Sequence, residues 1–355
     1  PEVYDNVDHT AMGYSVSRPV VVNLYDRGEP HDRWTVVWGS GRAVPYASSA
    51  DYYKSSEPNL YFHHISDDFL DSYYDAVDFN RAGVNIHPEP GSSVNLDSDG
   101  SYEYGYIAGA VNAVDVDSDG DTDVIYFPVT VSYDPSSGVS DIADPGHTWF
   151  YKAVINTSDL DDPEWCEFVD PWDYVEARDE IYYASTTSWH NDGSLGVYWG
   201  TGSPYDRLDS DPGYIFGFID ESPLSCPTTA TPICTGGYVE MDAGEGLTGN
   251  PIAYQGVVYF PTYTPNEDRC ENGLGKIRGM LYNTCEAGID SNGDGEADAE
   301  YVETDGYPSS ITITDQGEVI WGSSNFDDAG NGISTMSVLA DPFKGTQTLM
   351  IREVF

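Results

Sequence analysis

A short pattern that returns five times constrains the fold more than anything else in the chain. Two β-branched or apolar residues, an aromatic and then usually Gly occur at Val36-Val-Trp38-Gly39, Val124-Ile-Tyr-Phe127, Val197-Tyr-Trp199-Gly200, Val257-Val-Tyr-Phe260 and Val319-Ile-Trp321-Gly322. The closing aromatics, at 38, 127, 199, 260 and 321, are 89, 72, 61 and 61 residues apart. A motif that returns this way marks a repeated supersecondary unit with loops of unequal length. Four of the five are followed by a polar loop and a second apolar segment: Leu60-Tyr-Phe62, Trp149-Phe-Tyr151, Tyr214-Ile-Phe216 and Met280-Leu-Tyr282. Several are preceded by another β-prone stretch, such as Pro19-Val-Val-Val22, Ala184-Ser-Thr-Thr187 and Ile311-Thr-Ile-Thr314. Turn signals such as Asp192-Gly193 and Asp315-Gln-Gly317 separate the strands. Three to four strands per unit, with one motif in a fixed slot, predict an all-β chain. Its expected form is an irregular β-propeller of about five to seven blades with long inserted loops. A stack of unrelated sandwiches would supply the strands but not the fixed slot. Residues 1–355 are read as a single propeller domain.

One helix is expected. Between Ser66 and Phe79, the residues Phe69, Leu70, Tyr73, Tyr74 and Val77 fall on one helical face, with Ser66 as cap and Asp67 and Asp68 at the positive end of the dipole. It is read as an insertion that covers the propeller.

Charge excludes one class of partner. Sixty-one Asp and Glu against 14 Lys and Arg give a formal net charge of -47, which repels a phosphate backbone and argues against nucleic acid. Apolar residues make up 39% and aromatics 14%, enough for a large core, and no apolar run approaches the roughly 18 residues of a membrane span. The acidity is skewed: Asp outnumbers Glu 41 to 20, and there are only four Lys. Asp favours turns and is a hard oxygen ligand. Adaptation to a salty milieu is a second source of such a surface, and the two do not compete.

Two segments place that acid at metal-ligand spacing. They are Asp115-Val-Asp117-Ser-Asp119-Gly120-Asp121-Thr-Asp123 and Asp290-Ser-Asn292-Gly-Asp294-Gly295-Glu296-Ala-Asp298. Each puts side-chain oxygens at positions 1, 3, 5 and 9, Gly at 6 and a carbonyl donor at 7, the role of Asp121 and Glu296. Ca²⁺ wants six to eight hard oxygens around a tight coil, and Gly permits the sharp turn. Clustered carboxylates repel one another, so a cation is their natural occupant. Tyr126 and Tyr301 stand where a bidentate Glu at position 12 would complete the pattern, which predicts weaker binding. A third segment, Asn95-Leu-Asp97-Ser-Asp99-Gly100-Ser-Tyr-Glu103, reads as a plain hairpin turn.

Five cysteines, at 166, 226, 234, 270 and 285, include no C-x-x-C pair, so zinc and thioredoxin chemistry are not supported. Cys226–Cys234 and Cys270–Cys285 read as loop staples with Cys166 left over, implying an oxidising, extracytoplasmic compartment. Catalytic motifs are absent: there is no G-x-S-x-G elbow, no H-E-x-x-H and no phosphate-cradling Gly loop, and nothing argues for an enzyme.

Taken in order, several segments resemble the C-terminal β-propeller of the PilC/PilY-type proteins, the type IV pilus-tip adhesins and assembly factors. They are Met12-Gly-Tyr-Ser-Val-Ser-Arg-Pro19, Trp34-Thr-Val-Val-Trp38-Gly-Ser-Gly41, Val114 to Tyr126, and Val197-Tyr-Trp-Gly-Thr-Gly202. Pro251 to Cys270, with Tyr259-Phe-Pro-Thr-Tyr-Thr-Pro265, and Ile351-Arg-Glu-Val-Phe355 complete the series. The resemblance implies a non-enzymatic, calcium-binding fimbrial module at the cell surface that supports pilus extension, adhesion and twitching motility. Its implied partners are minor pilins of the tip complex, a host or abiotic surface and the N-terminal part of the same protein. The second unit departs from the family's Gly-rich strand end with Phe127-Pro128, and no Arg-Gly-Asp tripeptide occurs. Two other readings use similar strands. A quinone-dependent propeller dehydrogenase would need a vicinal Cys pair in many members and a regular Trp repeat, both missing here. An integrin-like or lectin propeller would place calcium loops in many blades, and this chain has two good ones.

Overall fold

The computed structural model describes residues 17–24, 33–39, 59–64, 83–85, 104–107, 109–132, 148–155, 164–175, 180–202, 211–226, 229–266, 268, 271–292, 294–304, 306–314, 317–324 and 333–337. The helix expected at 66–79 and the third acidic segment, 95–103, lie outside the described residues.

The described residues are almost all β, in five antiparallel sheets. The first sheet holds β1 (Val20–Leu24), β2 (Arg33–Gly39), β3 (Asn59–His64) and β4 (Gly83–Asn85). The second holds β5 (Tyr104–Tyr106), β6 (Asn112–Val114), β7 (Val124–Ser132), β8 (Thr148–Val154) and β9 (Glu164–Val169). The third is built of β10 (Thr186–Trp189), β11 (Leu195–Gly200), β12 (Pro212–Asp220), β13 (Ala230–Pro232) and β14 (Tyr238–Ala243). The fourth has β15 (Gly246–Leu247), β16 (Ile252–Tyr254), β17 (Val257–Thr264), β18 (Leu274–Leu281) and β19 (Tyr301–Thr304). The fifth has β20 (Thr312–Ile313), β21 (Glu318–Gly322) and β22 (Ile333–Ser337). A 3₁₀ turn at Pro171–Asp173 is the single helical piece among the described residues, and none of their helices is long and apolar enough to cross a membrane.

Each recurrent motif lies on a different sheet and on the equivalent strand: β2, β7, β11, β17 and β21. In every case that strand lies between the strand or strands before it and the one after it. In three of the five sheets the closing aromatic faces another aromatic on the next strand. Trp38 faces Tyr61, Phe127 faces Tyr151, Trp199 faces Phe216, Phe260 faces Arg278 and Trp321 faces Ser334. The expected propeller-type blade is thus found five times.

Two compact units contain these sheets. Residues 1–184 and 222–229 form the first, with the first and second sheets; residues 185–221 and 230–355 form the second, with the other three. In the first unit, Val22, Leu24, Val37 and Leu60 share a core with Ile125, Phe127, Val129, Trp149 and Tyr151. Strand β1 shows the two-residue period: Val22 and Leu24 are buried while Val21 is 57% exposed. In the second unit, Val257, Tyr259 and Ile277 pack with Ile311, Val319 and Trp321. Within the third sheet, Trp199 stacks on Phe216 and Phe218, with ring centroids 5.4 and 5.5 Å away.

In the second and fourth sheets, two short strands share one edge of the long motif strand. Strand β6 pairs with Val124–Tyr126 and β5 with Thr130–Ser132, which leaves a break centred on Pro128. Strand β16 pairs with Val257–Tyr259 and β15 with Thr262–Tyr263, which leaves the break at Pro261. Proline has no N–H to give a ladder, so it fits where the neighbouring strand is interrupted. A glycine fills each break: a side chain at Gly109 would collide with the Pro128 ring, and one at Gly249 would crowd Pro261.

The disulfides differ from the local staples expected. Cys166 bonds to Cys226, 60 residues away, and Cys234 bonds to Cys285, 51 residues away, with Cα atoms 5.9 and 5.1 Å apart. Strand β13 lies between Cys226 and Cys234 and holds them apart as an extended segment instead of closing a loop. Cys166 is therefore not the spare cysteine, and Cys285 is taken by Cys234; Cys270 lies outside the described residues. Each bridge lies within one compact unit.

Candidate metal centre

The 115–123 loop connects β6 to β7. Asp123 N–H donates to the Val114 carbonyl at 3.0 Å, and Ile155 N–H donates to the Asp123 carbonyl at 2.7 Å, so the loop is closed at its base and tied to the end of β8. Above that base the carboxylates organise the backbone. Asp115 accepts from the N–H of Ser118 (2.6 Å) and of Gly120 (2.9 Å). Asp117 accepts from Asp119 N–H at 3.2 Å, Asp119 from Asp121 N–H at 3.0 Å, and Asp123 from Val116 N–H at 2.7 Å. Gly120, at φ 101°, takes the left-handed turn that position 6 requires.

This coil gathers three of the predicted ligands. One carboxylate oxygen from each of Asp115, Asp117 and Asp123 lies within 4.8 Å of the others. It is the one such group among the described residues. Asp119 is turned to the loop backbone, and Asp121 gives its side chain to Asn23 of β1, whose Nδ2 donates to Asp121 Oδ1 at 2.8 Å. Position 7 thus has its carboxylate engaged elsewhere, in keeping with a carbonyl role. Burial, and then the charges of Asp117 and Asp115, push the Asp123 carboxyl above its ordinary value, against the Val116 and Asp117 N–H groups that pull it down. Among the described residues none of the three carboxylates pairs with Lys or Arg. An all-oxygen, anionic cradle of this kind fits a hard divalent cation.

The 290–298 loop, between β18 and β19, repeats the main bonds of this scaffold. Gly295 N–H donates to Asp290 at 2.7 Å, Asp294 N–H to Asn292 at 2.9 Å, Glu296 N–H to Asp294 at 2.9 Å and Ser291 N–H to Asp298 at 2.8 Å. Gly295 has φ 90°. At its base Asp298 N–H donates to the Ile289 carbonyl at 2.8 Å. The ligand side chains are less gathered. The Asn292 amide donates to Asp298 Oδ2 at 2.7 Å and occupies an oxygen the ion would use. Asn292, Asp294, Glu296 and Asp298 are exposed and Asp290 is half-buried.

A second charged cluster, not foreseen from the sequence, lies inside the fourth sheet. Glu245 accepts from Arg278 Nε at 2.6 Å and Nη2 at 2.7 Å, from Lys276 Nζ at 2.9 Å and from Thr262 Oγ1 at 2.5 Å. Asp242 also binds Lys276, and both cations lie over the Tyr301 ring. Burial would raise the Glu245 carboxyl, but the Arg278, Thr262 and Lys276 contacts outweigh it and hold the group down at about 2. Every partner is satisfied, so this is a structural network. Its only trace in the sequence is that Lys276, one of four lysines, and Arg278 flank Ile277 on an otherwise apolar strand.

The match that decides the architecture is to the crystal structure of the Pseudomonas aeruginosa PilY1 C-terminal domain. It aligns with a TM-score of 0.54 at 16% identity, over 93% of this chain and 74% of that one. The chain has the PilY1 C-terminal-domain fold. Two further solved structures align at lower similarity. A Bacillus subtilis family 43 arabinoxylan arabinofuranohydrolase has TM-score 0.36 at 10% identity, over 95% of this chain and 67% of that one. The Zobellia galactanivorans family 117 glycoside hydrolase has TM-score 0.35 at 11%, over 89% and 74%. No protein-family model and no curated protein matches the chain. The 115–123 loop belongs to the second of the five sheets found among the described residues, at the entry to its motif strand.

Proposed function

We propose that this chain is a non-enzymatic, calcium-binding module of a type IV pilus tip, exported from the cell. The observation that carries the reading is the gathering of Asp115, Asp117 and Asp123 in a domain with the PilY1-type fold. Side-chain oxygens of Asp115, Asp117, Asp119 and Asp123 and the Asp121 carbonyl hold one Ca²⁺. Asp290, Asn292, Asp294, Asp298 and the Glu296 carbonyl hold a second, weaker one. Bound calcium supplies the positive charge that the clustered carboxylates lack and fixes their loops. Two disulfides support an oxidising, extracytoplasmic setting. The partners are the minor pilins of the tip and the surface the pilus meets.

Calorimetric titration of the chelator-stripped chain tests the metal. Uptake is expected between about 10⁻⁶ and 10⁻³ M, and none below about 10 mM overturns it. In a pilus-bearing host, the Asp117→Ala, Asp119→Ala double variant is expected to be secreted normally but to alter twitching. Unchanged twitching removes the regulatory role.

A further inference from the structure

The 115–123 loop meets the first sheet at Asn23 of β1 through two bonds. Thr122 N–H donates to the Asn23 carbonyl at 2.8 Å, and Asn23 Nδ2 donates to Asp121 Oδ1 at 2.8 Å. The two loop residues share a single peptide group. That group is planar and trans, so its C=O and N–H lie on opposite sides and turn together. The N–H end belongs to Thr122 and holds β1. The C=O end belongs to Asp121, the carbonyl that position 7 offers to an ion. Whatever draws the carbonyl also aims the N–H.

We propose that Asn23 is the contact through which ion occupancy of the 115–123 loop is transmitted to the first sheet, ordering the β1–β2 ladder. The inference rests on the calcium reading of that loop. An ion that fixes the Asp121 carbonyl fixes the plane of the 121–122 peptide, and with it the bond to β1. The Asp121 carboxylate then clamps the Asn23 side chain from the same residue. In the β1–β2 register Asn23 faces Trp34, and Val21 faces Val36. These four side chains share a sheet face on which Val21 is 57% and Trp34 40% exposed. The segment that responds is thus a surface, and a change in its order is open to whatever touches the module. In the 290–298 loop the corresponding N–H, of Ala297, is not bonded to another sheet among the described residues. The relay belongs to the first loop.

Hydrogen exchange read by mass spectrometry, on the full chain with chelator and with saturating Ca²⁺, tests this. Calcium is expected to slow exchange in segments covering Val20–Leu24 and Arg33–Gly39 as well as in 115–123. In Asn23→Ala, which keeps every proposed metal ligand, calorimetric uptake is expected to persist. The gain over β1 and β2 should fall by about threefold to tenfold, the equilibrium worth of one hydrogen bond. Asn23→Asp, which sets a like charge against Asp121, should give the same loss and serves if the alanine variant does not fold. Some gain is expected to remain through the Thr122–Asn23 backbone bond, which both variants keep. Uptake with protection confined to 115–123, or a gain over β1–β2 undiminished by both substitutions, overturns the relay alone. No calcium uptake by the unsubstituted chain overturns the metal reading and the relay together.

Discussion

Carboxylates are treated in opposite ways in the 115–123 loop and in the interior of the fourth sheet. Around Glu245 two buried cations and a hydroxyl satisfy one carboxylate, whose proton is held down to about 2. Around Asp123 three carboxylates converge, among the described residues with only backbone N–H groups for company, and burial and the neighbouring charges push its carboxyl above the ordinary value. The first arrangement is complete as the chain makes it. The second is left with its charges facing one another, and on the proposed reading a cation completes it. A residue type alone does not separate these cases; what separates them is whether the fold brings a basic side chain within reach. The 290–298 loop stands between, because Asn292 supplies an amide where the first loop has a third charge.

Substitutions can break or sharpen this contrast. The largest expected effect is that of Glu245→Gln, which removes the buried counter-charge of Arg278 and Lys276 and leaves them only the exposed carboxylates of Asp242 and Glu300. It should lower unfolding free energy by about 3–5 kcal/mol in a denaturant titration, with or without calcium. Next comes Asp123→Ala. The unsubstituted chain should gain about 2.7 kcal/mol when Ca²⁺ stands at 100 times its dissociation constant. The variant should lose the gain that comes from the first loop, while its calcium-free stability stays level or rises as repulsion is relieved. A calcium-free loss as large as that of Glu245→Gln would mean the two regions are alike after all. Asn292→Asp should sharpen the intermediate case by adding the missing charge. We expect the second loop to bind Ca²⁺ about threefold to tenfold more tightly in calorimetry.

The smallest effect is a difference in pH response. The Glu245 carboxyl lies below its unfolded value of 4.5, so its contribution is complete above that pH and is lost as pH falls toward about 2. The Asp123 carboxyl lies above its unfolded value of 3.8, so the calcium-free fold favours the proton and loses that increment as pH rises through the raised value. Denaturation midpoints from pH 2 to 6 should therefore climb with pH from the Glu245 term. The gap between calcium-loaded and calcium-free chains should widen as Asp123 ionises.

Much of the architecture could be read from the sequence, because apolar alternation and the aromatic slot are local. All five motif strands were placed, and each took the equivalent strand of its own sheet. The coil of the two acidic loops was legible for the same reason: its Asp and Gly positions act on backbone within nine residues. What could not be read lies across long separations. Cys166 finds Cys226, and Cys234 finds Cys285, only once the strands between them are laid out. Glu245 meets Arg278 33 positions along the chain, and Asn23 meets Asp121 98 positions away. No spacing rule announces either encounter.

The broken edge of β7 has a mechanical consequence. Strand β6, which leads into the 115–123 loop, is zipped to Val124–Tyr126, and β5 to Thr130–Ser132, with Pro128 in the gap between them. A strain that enters at the loop can run along the rungs as far as Tyr126, but at Pro128 there is no N–H to hand it on. The interruption is confined to that one edge, because pairing with β8 runs unbroken from Val124 to Thr130, and the loop's bonds to Asn23 give it a separate link to the first sheet.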